Sequence, residues 1–135
     1  MIQNTSSEIK FKFSEFFKNY KRIIIKVGSA LLVDNKSGKI NEAWLESLAK
    51  DIVALISLKK EILIVSSGAI ALGRHAIEVK EKYIELQESQ AAAAIGQIEL
   101  AFAWKSALKN ENIKCAQILL SPEDTETRRR HLNAR

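Results

Sequence analysis

Two short stretches carry residue types that could hold an anion. In "KVGSALL" a lysine, Lys26, stands two residues before Gly28 and three before Ser29. A lysine reaches a phosphate as a point charge, and a glycine lets the backbone come close to it. In "IVSSGAIALG" an apolar run ends on Ser66, Ser67 and Gly68, and Ala69 opens a helix-like pattern. Free backbone N–H groups and the helix dipole favour negative charge at such a junction, and a serine hydroxyl can donate to a carboxylate or phosphate. Spacing leaves each stretch with a second reading: a solvated lysine at a strand end, and a serine that only caps a helix. A third stretch, "SPEDTETRRR", is accounted for by capping, with serine as N-cap, Pro122 at N1 and acids in the first turn.

Several chemistries are excluded. The chain has no G-x-x-x-x-G-K-[ST] loop, no G-x-G-x-x-G fingerprint and no G-x-S-x-G elbow. His75 and His131 have no obvious partner and read as helix-face or surface residues. The single cysteine, Cys115, cannot form an internal disulfide, and no Cys/His cluster has metal-ligand spacing.

The elements that would position these residues alternate along the chain. "RIIIKV" (22–27) and "EILIVS" (61–66) read as strands buried on both faces, and "IKCAQILL" (113–120) as a third. Asn41 caps a helix with apolar residues at helical spacing from Trp44 to Ile56, acids at its start and Lys59 and Lys60 at its end. A short helix is expected from Gly68 to about Ile77, and a long one from about Glu81 to Asn110. Ala91–Ala94 and Gly96 would let another backbone approach the long helix closely. Strand and helix in alternation predict an α/β fold with a largely parallel sheet. Ligands of such sheets bind outside the carboxyl ends of the strands, where Lys26 and Ser67 fall.

The 135 residues suit one domain of ordinary globular composition, 47% apolar and 27% charged. The longest apolar runs are too short to cross a bilayer, and the first residues lack the continuous apolar core of a secretory signal. A reducing cytoplasm is the expected location, with no membrane partner. Residues 1–20 form an aromatic and basic extension, expected to be a short docking helix. Four arginines and one glutamate fall in the last ten residues of a chain whose net charge is +5. No nucleic-acid motif accompanies them, so a basic nucleic-acid-binding module is the distant alternative.

Four stretches in order, "IIIKVGSALL", "ILIVSSGAIALG", "SQAAAAIGQ" and "AQILLSPEDTETRRRHLNAR", resemble successive motifs of the glutamate 5-kinases, within the amino acid kinase superfamily. The resemblance covers residues 22–135. It implies a three-layer α/β/α sandwich around a mainly parallel sheet, and transfer of the γ-phosphate of ATP, with Mg²⁺, to the side-chain carboxylate of L-glutamate, the first step of proline synthesis. By the same resemblance Lys26 contacts the ATP phosphates as the catalytic lysine, and Gly28 and Ser29 form the loop beside it. Ser67 binds glutamate, and Gly68 and Ala69 line the same turn. Family members continue well past "LNAR", through an Asn/Asp-rich loop and most of the nucleotide pocket. Residues 21–135 are therefore expected to be the substrate-side part of an incomplete kinase domain. Such a part would be inactive alone, or a subunit needing a separate C-terminal half. Its uncovered apolar surface would favour homo-oligomers or other association.

Overall fold

A computed structural model describes residues 15–34, 36–77 and 85–126. Two strands, β1 (Arg22–Val27) and β2 (Glu61–Ser66), pair in parallel from Arg22↔Glu61 to Val27↔Ser66. Both bounds match those expected from the β-branched runs. Between the strands lie α1 (Ser29–Leu32) and α2 (Glu42–Ser57). Asn41 caps α2, its side-chain oxygen accepting from the Trp44 N–H at 3.3 Å. A turn precedes it, in which Asp34 Oδ1 accepts from the Ser37 N–H at 2.7 Å and the Ser37 hydroxyl at 2.9 Å.

After β2 come α3 (Ala69–Ala76), α4 (Leu86–Asn110) and the short α5 (Pro122–Glu126). The Ser121 N–H and hydroxyl both donate to Asp124 Oδ2, at 2.7 and 2.8 Å, so the expected helix start at Ser121-Pro122 is present. Helices α3 and α4 cross at very close range. A Cβ on Gly73 would collide with the Ala92 carbonyl, and one on Gly96 with the Ala69 carbonyl. The small-residue face is thereby narrowed: Ala92 and Gly96, one turn apart, are buried, whereas Ala91 and Ala94 are exposed.

One core joins these elements. Val27 of β1, Leu32 of α1, Ile52 of α2, Leu72 of α3 and Leu100 of α4 are buried in a single cluster, and Ile25, Ile62 and Ile64 pack against it. Two sequence expectations are corrected here. First, neither strand is buried on both faces. Ile23, Ile25 and Val27 face the core, while Ile24, Leu63 and Val65 on the opposite face are 62%, 45% and 49% exposed. Helices cover one face among the described residues, so two of the three expected layers are seen within the α/β class. An unbroken apolar run reports that both faces want cover, not which segment supplies it.

Second, "IKCAQILL" is not a strand. Residues 113–120 make no ladder with β2 among the described residues. An apolar groove of about 520 Å³ is lined by both Ile62 and Ile64 of β2 and Ala116 and Ile118 of this segment. A ladder needs a strand edge within about 5 Å, and composition alone does not bring one there.

Of the N-terminal extension only residues 15–20 are described. They contain a helical turn in which Phe16 and Phe17 meet edge to face at 5.0 Å. The helix expected earlier in that extension, Arg128–Arg130, His131 and "LNAR" lie outside the described residues.

Candidate functional site

The parallel register does the first work at the site. Because Val27 pairs with Ser66, the loop that leaves β1 and the turn that leaves β2 lie side by side at the carboxyl edge of the sheet. Lys26, Gly28 and Ser29 are thus neighbours of Ser67, Gly68 and Ala69, although about forty positions separate them in sequence. The Ser67 N–H donates to the Val27 carbonyl at 3.0 Å and the Ser67 hydroxyl to the same oxygen at 3.2 Å, tying one turn to the other.

On β1, Lys26 is exposed on the uncovered face, in line with Arg22 and Ile24. It has no ion pair among the described residues. Gly28 caps α1 with φ −79°, a conformation open to any residue, and a Cβ there would meet nothing within 4 Å. Neither backbone strain nor the chain's own packing requires glycine at that position. What glycine leaves there is open space beside the lysine.

Gly68 is different. Its φ of +129° lies where L side chains are rarely found, while the nearest atoms to an added Cβ are 3.4 Å away or more. Conformation, not space, demands glycine. The turn it makes delivers the chain into α3, whose first intrahelical bond runs from the Leu72 N–H to the Gly68 carbonyl at 3.0 Å. The N–H groups of Gly68, Ala69 and Ile70 have no acceptor among the described residues. They form the donor set that the sequence "SSGAI" suggested.

The two serines of this turn have distinct surroundings. Ser67 faces Val27, as above, so its hydroxyl proton is already directed at a carbonyl. The Ser66 hydroxyl accepts from the indole N–H of Trp104 at 2.9 Å and donates to the Ser67 carbonyl at 3.3 Å. Trp104, from the C-terminal half of α4, is 9% exposed. Sequence reasoning singled out Ser67 and passed over Trp104. The available signal was its type: a buried tryptophan N–H usually finds a partner.

Two carboxyl groups are clearly perturbed by their neighbours. Asp34 is held below its ordinary value chiefly by the Ser37 backbone bond, and Glu61 by the bond from Lys21, then that from Arg22. Glu61, half-buried, stands at the start of β2, the end of the sheet opposite the carboxyl edge, and Asp34 is exposed in the loop after α1. Within the described residues no helix is long and apolar enough to cross a membrane, and no cluster of three potential metal ligands occurs.

A parallel α/β sheet with a lysine loop and a hydroxyl-bearing glycine turn side by side at its carboxyl edge is an arrangement suited to phosphoryl chemistry on an anion. The family model described as the amino acid kinase family matches residues 21–135, and the chain belongs to that family. Among curated relatives it is 54% identical over 116 residues to glutamate 5-kinase of Rhizobium rhizogenes, covering 86% of this chain and 30% of that protein. It is 57% identical over 118 residues to glutamate 5-kinase 1 of Mesorhizobium japonicum, covering 87% of this chain and 31% of that protein. For glutamate 5-kinase 1 of Rhizobium meliloti the identity is 52% over 124 residues, covering 92% of this chain and 31% of that protein. The chain spans about 30% of the length of the curated relatives it matches.

Proposed function

We propose that this chain is the glutamate-side part of an ATP-dependent glutamate 5-kinase. The observation that carries the reading is the Val27↔Ser66 register, which sets the lysine loop beside the serine–glycine turn in a chain 54% identical to such an enzyme. In this reading a side-chain carboxylate oxygen of L-glutamate attacks the γ-phosphorus of ATP. The bond to the β,γ-bridging oxygen breaks, ADP leaves, and glutamyl 5-phosphate forms. Phosphoryl transfer rests on positioning and charge neutralisation rather than covalent help from the protein.

The residues divide that work. Lys26 offsets phosphate charge, and the open space at Gly28, beside Ser29, admits the phosphates. The N–H groups of Gly68 and Ala69, with the Ser67 hydroxyl, hold a glutamate carboxylate. For Ser67 to donate to glutamate, its proton turns away from the Val27 carbonyl, leaving the Ser67 N–H to hold the two strand ends together. The exposed charge of Lys26 and the open space at Gly28 fit a nucleotide phosphate. The described residues provide no carboxylate cluster for Mg²⁺. The ion would enter on the nucleotide. The reading includes a cytoplasmic location and association through the open sheet face.

The 135-residue chain with ATP, L-glutamate and hydroxylamine should give no hydroxamate. Co-expressed with the portion of the Rhizobium rhizogenes enzyme beyond the matched region, it should give hydroxamate. Hydroxamate from the chain alone would overturn the dependence on a second half. Failure to bind glutamate both alone and in the complemented assembly would overturn the substrate assignment.

A further inference from the structure

The link from Trp104 to the turn reaches further than one hydrogen bond. The indole N–H donates to Ser66 Oγ at 2.9 Å, and that hydroxyl in turn donates to the Ser67 carbonyl at 3.3 Å. The Ser67 carbonyl belongs to the same planar peptide as the Gly68 N–H. In a trans peptide the C=O and N–H point in opposite directions. Holding the carbonyl toward Ser66 therefore holds the Gly68 N–H away from it. That N–H has no acceptor among the described residues. Glycine's freedom at φ +129° makes this peptide easy to turn, so something outside the local chain must set it.

We propose that Trp104 is a positioning residue of the turn: through Ser66 it fixes the Ser67–Gly68 peptide and aims the Gly68 N–H at an anionic ligand. This rests on the reading above that the turn receives a carboxylate. Trp104 is suited to the role because its ring is anchored in the core beside Leu100 and Leu108 of the same helix, while its one polar atom reaches the strand end. The close crossing of α3 and α4 at Gly73 and Gly96 keeps that helix in register with the turn. A tryptophan serving only as packing would lose little function on replacement by phenylalanine.

The test has two arms, both on the full 135-residue chain. In the first, without ligand, ¹⁵N relaxation reports the order of the Gly68 N–H. It should lie near the rigid-backbone value of about 0.85 in the parent, and fall toward about 0.6 in Trp104→Phe and in Ser66→Ala. Ser66→Thr, which keeps the hydroxyl, should restore it. An unchanged Gly68 order parameter in Trp104→Phe and Ser66→Ala overturns the proposal. If Trp104→Phe does not fold, Ser66→Ala breaks the same link and decides the question.

In the second arm, calorimetry with L-glutamate should show affinity reduced roughly three- to tenfold in either variant, the loss expected of one misdirected donor. The double variant should be no weaker than either single one, because both changes remove one pathway. Losses that add fully would overturn the shared pathway. If the parent alone binds no glutamate, the same titration is made on the complemented assembly; no binding there either overturns the substrate assignment, while the relaxation arm still decides what Trp104 does to the peptide.

Discussion

Strand β2 and the segment 113–120 enter the structure by the same door and end differently. Each follows a helix that closes with a non-glycine residue in the left-handed region, Lys59 at φ 58° and Asn112 at φ 59°. In each, the next N–H returns to a carbonyl five residues back: Lys60 to Leu55 at 3.2 Å, Ile113 to Leu108 at 2.9 Å. The companion bonds, Lys59 to Ile56 and Asn112 to Lys109, match as well, at 2.8 and 2.9 Å. These are paired Schellman-type ends. Both helices then release an apolar, strand-like sequence. One becomes the partner of β1, clamped at its start by Arg22 and Lys21 on Glu61. The other runs beside a groove with Ile118, Leu119 and Leu120 at 74%, 71% and 61% exposure. Identical local exits with different outcomes mean that the partner edge, not the segment, decides whether a strand forms.

The largest test of that contrast compares truncations in the core and in the unpaired segment. Ile52→Ala, in the helix leading into β2, should destabilise the chain by about 2–5 kcal/mol in urea unfolding, whereas Leu119→Ala should cost about 0.5 kcal/mol or less. A comparable loss at Leu119 would show that the segment packs as β2 does. Gly96→Ala comes next, at roughly 1–3 kcal/mol, because its methyl group would press on the Ala69 carbonyl and push α3 off the end of β2.

Ser67→Ala acts on the turn itself. It should weaken glutamate by about 1–2 kcal/mol in calorimetry, the size of a lost charge-assisted hydrogen bond. Lys26→Ala should instead weaken nucleotide, and equal effects of the two changes on both ligands would erase the proposed division.

The smallest effect concerns the clamp at the start of β2. The bonds from Lys21 and Arg22 lower the Glu61 pKa on folding, so their stabilisation is present above the ordinary value of 4.5 and fades as pH falls through the lowered one. The urea midpoints of the parent and Glu61→Gln should accordingly converge in acid. A gap that persists at pH 2 would assign the effect to packing.

Much of the candidate site was legible in the sequence. The bounds of β1 and β2 follow from β-branched runs. Asn41 announces a helix start because its side-chain oxygen satisfies an N–H group that a helix leaves free, and Ser121-Pro122 announces another, where Asp124 accepts from the Ser121 N–H and hydroxyl. Gly68 marks the turn because few other residues adopt its backbone angle. The role of Trp104 was not legible, since its partner stands 38 positions earlier. The misreading of 113–120 has the same origin: a β-branched run states a preference, and only a neighbour can meet it.

By itself, then, the sequence determined the local conformations, the α/β order and the resemblance to glutamate 5-kinases, because each depends on residues near one another in the chain or on motifs matched one by one. The tertiary structure decided which strand found an edge, which sheet face was covered, and how Ser66 and Ser67 divide their bonds. Those outcomes depend on distances between segments far apart in sequence, set by the packing of α2, α3 and α4 around one core.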